Sequence, residues 1–148
     1  MFPPGLITAV DHVGIAVTDM DQAIAYYSEN FGFSMVHEER NDDQGVREAM
    51  LAVGSSDTRL QLLAPLTAES TLTKFLDRSG PGVQQLAYRV TSITEAMAAV
   101  QAQGMRLLYA EPRPGTAGSQ INFIHPKDAG GVLVELVEPA GEGEGPPR

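Results

Sequence analysis

The sequence predicts an α+β fold of two tandem βαβββ units. Three observations predict it. Strand-like and helix-like periodicities follow one another in the same order twice. The halves match at a nearly constant offset: His12 falls on Gln85, Ile24 on Met97 and Tyr27 on Val100 at 73 residues, and Gln61 on Glu135 at 74. A chain of 148 residues is long enough for one domain with a real core.

Residues 7–17, I-T-A-V-D-H-V-G-I-A-V, read as a strand rich in β-branched side chains. Over 19–31 the period becomes helical: Met20, Ile24, Tyr27 and Phe31 recur on one face, Asp19 is placed to cap and Gly32 to stop the run. Residues 33–39, 46–53 and 59–64 read as three strands, parted by the turn signals N-D-D-Q-G and G-S-S-D. A short helix over 69–78 ends in S-G-P-G. The order then recurs: strand 83–90, a helix carrying Ile93, Met97 and Val100 and stopping at Gly104, and strands near 105–109, 119–124 and 131–138. The expected organisation is a single domain, 1–140, with modules 7–65 and 82–138 joined by the short helix. The Gly/Pro-rich residues 141–148 are expected to form a mobile tail.

Composition excludes several classes. The chain has no cysteine, so disulfides, thiolate metal sites and a cysteine nucleophile are ruled out. Asp plus Glu total 19 against 10 Lys plus Arg, a net charge of −9, which disfavours nonspecific binding to nucleic acid. No apolar run is long enough to span a membrane. The segment before the first strand is too short for a signal peptide, so the expected location is the cytoplasm.

Alternation along the strands sorts the side chains into two faces. Val13, Ile15 and Val17 form an apolar face, and His12, Gly14 and Ala16 a small cleft-like one; in the repeat, Leu86, Tyr88 and Val90 are apolar, opposite Gln85, Ala87 and Arg89. L-Q-L-L (60–63) matches V-E-L-V (134–137), which turns Gln61 and Glu135 away from the core. His12, Gln61, Gln85 and Glu135 thus occupy repeat-related polar positions on apolar strands, and burying them calls for partners. Either a shared divalent cation serves all four, or they bond to one another and to water. Glu48, in Q-G-V-R-E-A-M-L, is a cleft carboxylate suited to proton transfer beside a metal, or else a solvated strand residue. Counting at an offset of 74 pairs it with Asn122. His125, before Pro126, reads as structural, and His37, before Glu38-Glu39, as exposed.

These segments also carry a resemblance. D-H-V-G-I-A-V, Q-G-V-R-E-A-M-L, L-Q-L-L-A-P-L, S-T-L-T-K-F-L, G-S-Q-I-N-F-I-H-P-K and G-V-L-V-E-L-V-E resemble the methylmalonyl-CoA epimerases of the vicinal-oxygen-chelate (glyoxalase/bleomycin-resistance) superfamily, from about residue 8 to 138. The resemblance implies a glyoxalase-like, cupped, barrel-like mixed sheet around a divalent metal, Co²⁺ or Mn²⁺. It implies an isomerase acting on methylmalonyl-CoA, and a homodimer. Carried onto this chain, His12, Gln61, Gln85 and Glu135 are the metal positions, and Glu48 and Glu135 the catalytic carboxylates. The phosphates of coenzyme A call for cations, for which Arg47, Arg89, Arg113 and Lys127 are candidates; Asn122 is a further substrate-binding candidate. The chain departs from the family at G-V-Q-Q, where G-x-H-H is usual, so Gln85 stands in the place of a histidine ligand. An amide oxygen is the weaker donor and should shift preference toward harder ions. The competing readings are another enzyme of the superfamily, such as a lyase or dioxygenase, and a ligand-binding or altered-activity relative with a weakened metal site. An iron dioxygenase would want two histidines, which Gln85 opposes; a pure binder has no use for Glu48.

Overall fold

Residues 1–141 are described by a computed structural model; apart from Gly141, the expected tail lies outside the described residues. The elements in order are β1 (Ile7–Ala16), α1 (Met20–Phe31), β2 (Ser34–Asn41), β3 (Val46–Ala52), β4 (Arg59–Pro65), α2 (Thr71–Ser79), β5 (Gly82–Val90), α3 (Ile93–Ala102), β6 (Arg113–Pro114), β7 (Gln120–Ile124) and β8 (Val134–Glu138). The βαβββ order therefore occurs twice, and the fold is of the expected α+β class. The chain divides into two compact units, one of residues 12–84 and one of residues 1–11 with 85–141. No helix among the described residues is long and apolar enough to cross a membrane.

In the unit of residues 12–84 the strand order is β2-β3-β4-β1, with β1 and β4 parallel and the other pairs antiparallel. Ile15, Val17, Ala49, Leu51 and Leu62 turn to one face, where Met20, Ile24 and Tyr27 of α1 cover them. Leu51 and Leu62 are 1% and 0% exposed, and each such burial contributes about 1.5–3 kcal/mol. α1 begins where expected: the Asp19 carboxylate accepts from the Gln22 amide at 2.9 Å. It ends at Gly32, whose φ of 72° lets its amide reach the Ser28 carbonyl at 3.0 Å. On the opposite face Leu72, Phe75 and Leu76 of α2 pack on Ala16, Val46 and Leu63.

The unit of residues 1–11 with 85–141 repeats the arrangement. Its order is β5-β8-β7-β6, again with one parallel pair, β5 and β8. α3, capped by Ser92, covers Val90, Ile124, Val134 and Leu136, while Ala87, Ile121, Phe123 and Val137 line the other face.

The strand expected at 105–109 does not form. Its only ladder contact is an isolated bridge between Leu107 and Ile124, and the short β6 lies further on, at Arg113–Pro114. The cause is Asn122. Its Nδ2 donates to the Tyr109 carbonyl at 2.9 Å and its Oδ1 accepts from the Tyr109 amide at 3.2 Å, so a side chain takes the place of the next ladder rung. The last strand starts at Val134 rather than 131, because Gly130 and Gly131, at φ 69° and 88°, form the turn before it.

Candidate active site

Register fixes which side chains share a face. In the unit of residues 12–84, Gly14 lies beside Gln61, Met50 opposite Gln61, and Glu48 opposite Leu63. His12, Gln61 and Glu48 therefore project from the face that α1 does not cover. They are nearly closed to solvent, at 2%, 2% and 4% exposure. Gln61 Nε2 donates to Glu48 Oε2 at 3.1 Å. Glu48 is thus a buried carboxylate held in one orientation by an amide, not a solvated strand residue.

In the unit of residues 1–11 with 85–141, Ala87 and Phe123 both lie beside Glu135. Gln85 and Glu135 share the face opposite α3, at 7% and 5% exposure, and Gln85 Nε2 donates to Glu135 Oε1 at 3.2 Å. The apolar wall there comes from Ile121, Phe123 and Val137.

The same register corrects the position of Asn122. It lies opposite Leu136, on the α3 face, and spends its carboxamide on the Tyr109 and Phe123 backbone. Since Ile121 is opposite Val137 as Glu48 is opposite Leu63, the counterpart of Glu48 is Ile121. A carboxylate in one unit thus answers to an apolar side chain in the other.

The cations expected for phosphate binding are placed less favourably. Arg47 lies on the α1 side of β3, bonded to Glu38 and, at 3.2 Å, to Asp21. These carboxylates, Glu38 first, raise its pKa. Arg89 is on the Gln85 face, with Nε on the fully buried Asp11 at 2.8 Å. Arg113 sits over the Tyr109 ring, 4.8 Å from its centroid. Lys127 is exposed. His125 is structural as expected, accepting from the Lys127 amide at 3.2 Å. His37 is not exposed: it is half-buried and bonded to Glu39 at 2.6 Å.

Three features escaped sequence reasoning. Arg59 lies beside His12 in register, on its face; counting back two residues from Gln61 would have found it. Glu39 lies directly opposite Glu48. The third is the loop before β7. Ala117 takes a φ of 55° without being glycine, and the buried Ser119 Oγ has no hydrogen-bond partner among the described residues. A side chain at Gly115 would meet Ser119 Oγ at 2.6 Å, so glycine is needed for the loop to close over it. No composition signal marks Ser119.

Residues 11–123 match the family model described as Glyoxalase/Bleomycin resistance protein/Dioxygenase superfamily. An ethylmalonyl-CoA/methylmalonyl-CoA epimerase of Cereibacter sphaeroides is 33% identical over 133 residues, covering 88% of this chain and 98% of that protein. The crystal structure of methylmalonyl-CoA epimerase from Mycobacterium tuberculosis is 56% identical, with a TM-score of 0.91 over 96% of this chain and 95% of that one. A methylmalonyl-CoA epimerase in complex with methylmalonyl-CoA and NH4+ is 42% identical, with a TM-score of 0.89 over 95% of this chain and 99% of that one.

Proposed function

The chain belongs to the methylmalonyl-CoA epimerases of the glyoxalase/bleomycin resistance protein/dioxygenase superfamily, and from that premise we propose that it interconverts the two C2 epimers of methylmalonyl-CoA by proton transfer. The observation that carries the proposal is Glu48, a carboxylate 4% exposed and oriented by Gln61 on a strand face with apolar neighbours. Fold maintenance gives no reason to keep an ionisable group there.

The C2 hydrogen of the substrate lies between a thioester carbonyl and a carboxylate, so its removal leaves an enolate with charge spread over oxygen. Glu48 takes or returns the proton on one face of C2, and Glu135 on the other. In one direction the Glu48 carboxylate accepts a proton while the Glu135 acid delivers one, and in the other the roles reverse. Each turnover leaves the two groups with exchanged protonation, which exchange with water resets.

His12, Gln61, Gln85 and Glu135 would hold the divalent ion. Among the described residues no three His, Cys, Asp or Glu side chains gather as a metal cluster. The donor set instead consists of one imidazole, one carboxylate and two amides. It fits a cation because the amides can act at both ends: the NH₂ groups bind Glu48 and Glu135, and the carbonyl oxygens are separate atoms. An oxygen-rich set suits Co²⁺, Mn²⁺ or Mg²⁺. When bound, the ion would stabilise negative charge on the enolate oxygens. The repeat and the family support assigning all four residues to one ion.

We also assign coenzyme A phosphate binding to the exposed Lys127 ahead of Arg47 and Arg89, which already have carboxylate partners. A homodimer in the cytoplasm is the expected form, and sedimentation equilibrium tests the dimer. The ligand-binding reading is not favoured, since the similar proteins named above are epimerases.

The test is deuterium entry at C2 of methylmalonyl-CoA in D₂O, with chelator-stripped protein and after adding Co²⁺ or Mn²⁺. Exchange with metal restored, lowered at least about 10²-fold in Glu48→Gln, is expected. Folded, metal-supplied protein that exchanges nothing overturns the proposal, and full activity in Glu48→Gln overturns the role of Glu48.

A further inference from the structure

Ser119 ends the loop that leads into β7, and that loop is closed on itself. The Gly115 amide donates to the Ser119 carbonyl at 2.9 Å, and the Ser119 amide donates to the Thr116 carbonyl at 3.1 Å. Both backbone groups of Ser119 are thereby engaged, but its hydroxyl is not. Ser119 is 3% exposed, and its Oγ has no hydrogen-bond partner among the described residues. A buried hydroxyl without a partner is destabilising, and an apolar side chain of the same size is better tolerated. A water cannot relieve it from the Gly115 side. A methyl carbon placed there would already stand 2.6 Å from Oγ and 2.5 Å from Ile121 Cγ2.

A second unfavourable feature lies in the same loop. Ala117 holds φ 55° and ψ 41°, a left-handed backbone that glycine adopts freely and alanine avoids. Such residues persist only where the surrounding structure holds them, and they gather at ligand sites. The position of the loop agrees with that. Alternation puts Ser119 on the face of Ile121 and Phe123. Ile121 packs with Ala87, Phe123 and Val137, and both Ala87 and Phe123 flank Glu135 in register. Ser119 Oγ and Ile121 Cγ2 crowd the same point above Gly115, so the unpartnered hydroxyl borders the apolar wall around Glu135.

We propose that Ser119 is a substrate-binding residue whose hydroxyl donates to a carbonyl or carboxylate oxygen of the bound acyl-CoA. The proposal rests on the reading of the chain as an acyl-CoA epimerase and adds a residue with no part in the proton transfer. The loop is unfavourable in the free protein because the ligand supplies the missing acceptor. Since the loop covers the hydroxyl, it shifts as the ligand binds. The two roles open to a buried serine differ in sign. A serine that holds the fold together loses stability when cut back to alanine, whereas one kept for a ligand gains it.

The test sets Ser119→Ala beside the parent protein in two measurements. One is urea unfolding without ligand. The other is calorimetric titration of Co²⁺-supplied protein with methylmalonyl-CoA, propionyl-CoA and coenzyme A. The variant should have the higher urea midpoint and bind methylmalonyl-CoA about tenfold more weakly. Weakening confined to methylmalonyl-CoA places the acceptor at the carboxylate. Weakening shared with propionyl-CoA places it at the thioester carbonyl, and weakening shared with all three places it in the coenzyme arm. A lower urea midpoint, or a variant that does not fold, means that the hydroxyl has a structural partner and overturns the proposal. Unchanged affinity for all three ligands overturns it as well. The failure of the underlying reading looks different: parent protein that binds none of the three defeats the acyl-CoA reading and this proposal with it, whereas a parent that binds no better than Ser119→Ala removes Ser119 alone.

Discussion

In the proposed reading, Gln85 is the residue on which metal binding turns. A glutamine offers a cation a neutral carbonyl oxygen where an imidazole would offer a stronger nitrogen donor, and here its amide is also engaged with Glu135 at 3.2 Å. Gln85→His should therefore raise affinity for Zn²⁺ and Co²⁺ roughly tenfold, the scale on which changes around metal ligands act, and raise Mn²⁺ affinity less. Calorimetric titration of each ion into chelator-stripped protein checks this, and unchanged affinities would remove Gln85 from the ligand set. At this scale the sequence was informative wherever alternation alone decided the outcome. His12, Glu48, Gln61, Gln85 and Glu135 all lie on the faces that alternation assigns them. It failed for Asn122, because an offset of 74 instead of 73 moves a strand residue to the opposite face. No composition cue distinguishes a carboxamide that clamps backbone from one that meets a ligand.

The elements divide into those defined by local chemistry and those defined by distant partners. α1 is local: an Asp cap, apolar residues at helical spacing and a glycine stop, all readable in the chain. Asp19→Ala should cost about 1 kcal/mol, seen as a lower urea midpoint with the slope unchanged. Segment 105–112 is the opposite case. Its residues look strand-like, but its path is set by Asn122 from β7, and Pro112 and Pro114 supply no amide donors for a ladder. Asn122→Ala removes the two hydrogen bonds that its carboxamide makes to the Tyr109 backbone, at a cost of about 1–3 kcal/mol. Amide exchange at Tyr109 should accelerate in the variant far more than exchange within β3 and β4. Equal acceleration everywhere would mean that Asn122 supports the fold at large and not this segment. Turn geometry such as the positive φ of Ala117 belongs with this second group, since alanine carries no preference for it.

For the whole molecule the dominant electrostatic fact is an excess of acid, a net charge of −9. Both the repeat and this charge were legible in the sequence, because each is a property of the chain read end to end. The consequence of that charge for stability was not, because it depends on which carboxylates acquire partners. Mild acid protonates carboxylates and relieves the self-repulsion of the folded state, which favours folding. Carboxylates paired in the fold work the other way. Asp128 is the clearest case: Arg106 donates to it through Nε at 2.8 Å, its backbone amide at 2.9 Å and Nη2 at 3.2 Å. These bonds, the Arg106 guanidinium first, lower its pKa from 3.8 to about 2. A carboxylate with a depressed folded pKa binds protons more tightly in the unfolded chain, so its contribution is complete above pH 3.8 and disappears as the pH falls through about 2. Asp128→Asn removes that contribution and leaves the global charge effect nearly unchanged. The stability difference between the parent protein and the variant should thus be constant from pH 7 to about 4, shrink between about 4 and 2, and approach the difference between a protonated acid and an amide below that. Urea unfolding across this range measures it directly. A difference that stays flat down to pH 2 would mean that Arg106 stabilises Asp128 equally in both its protonation states, and the loss of stability in acid would then have to come from the buried carboxylates.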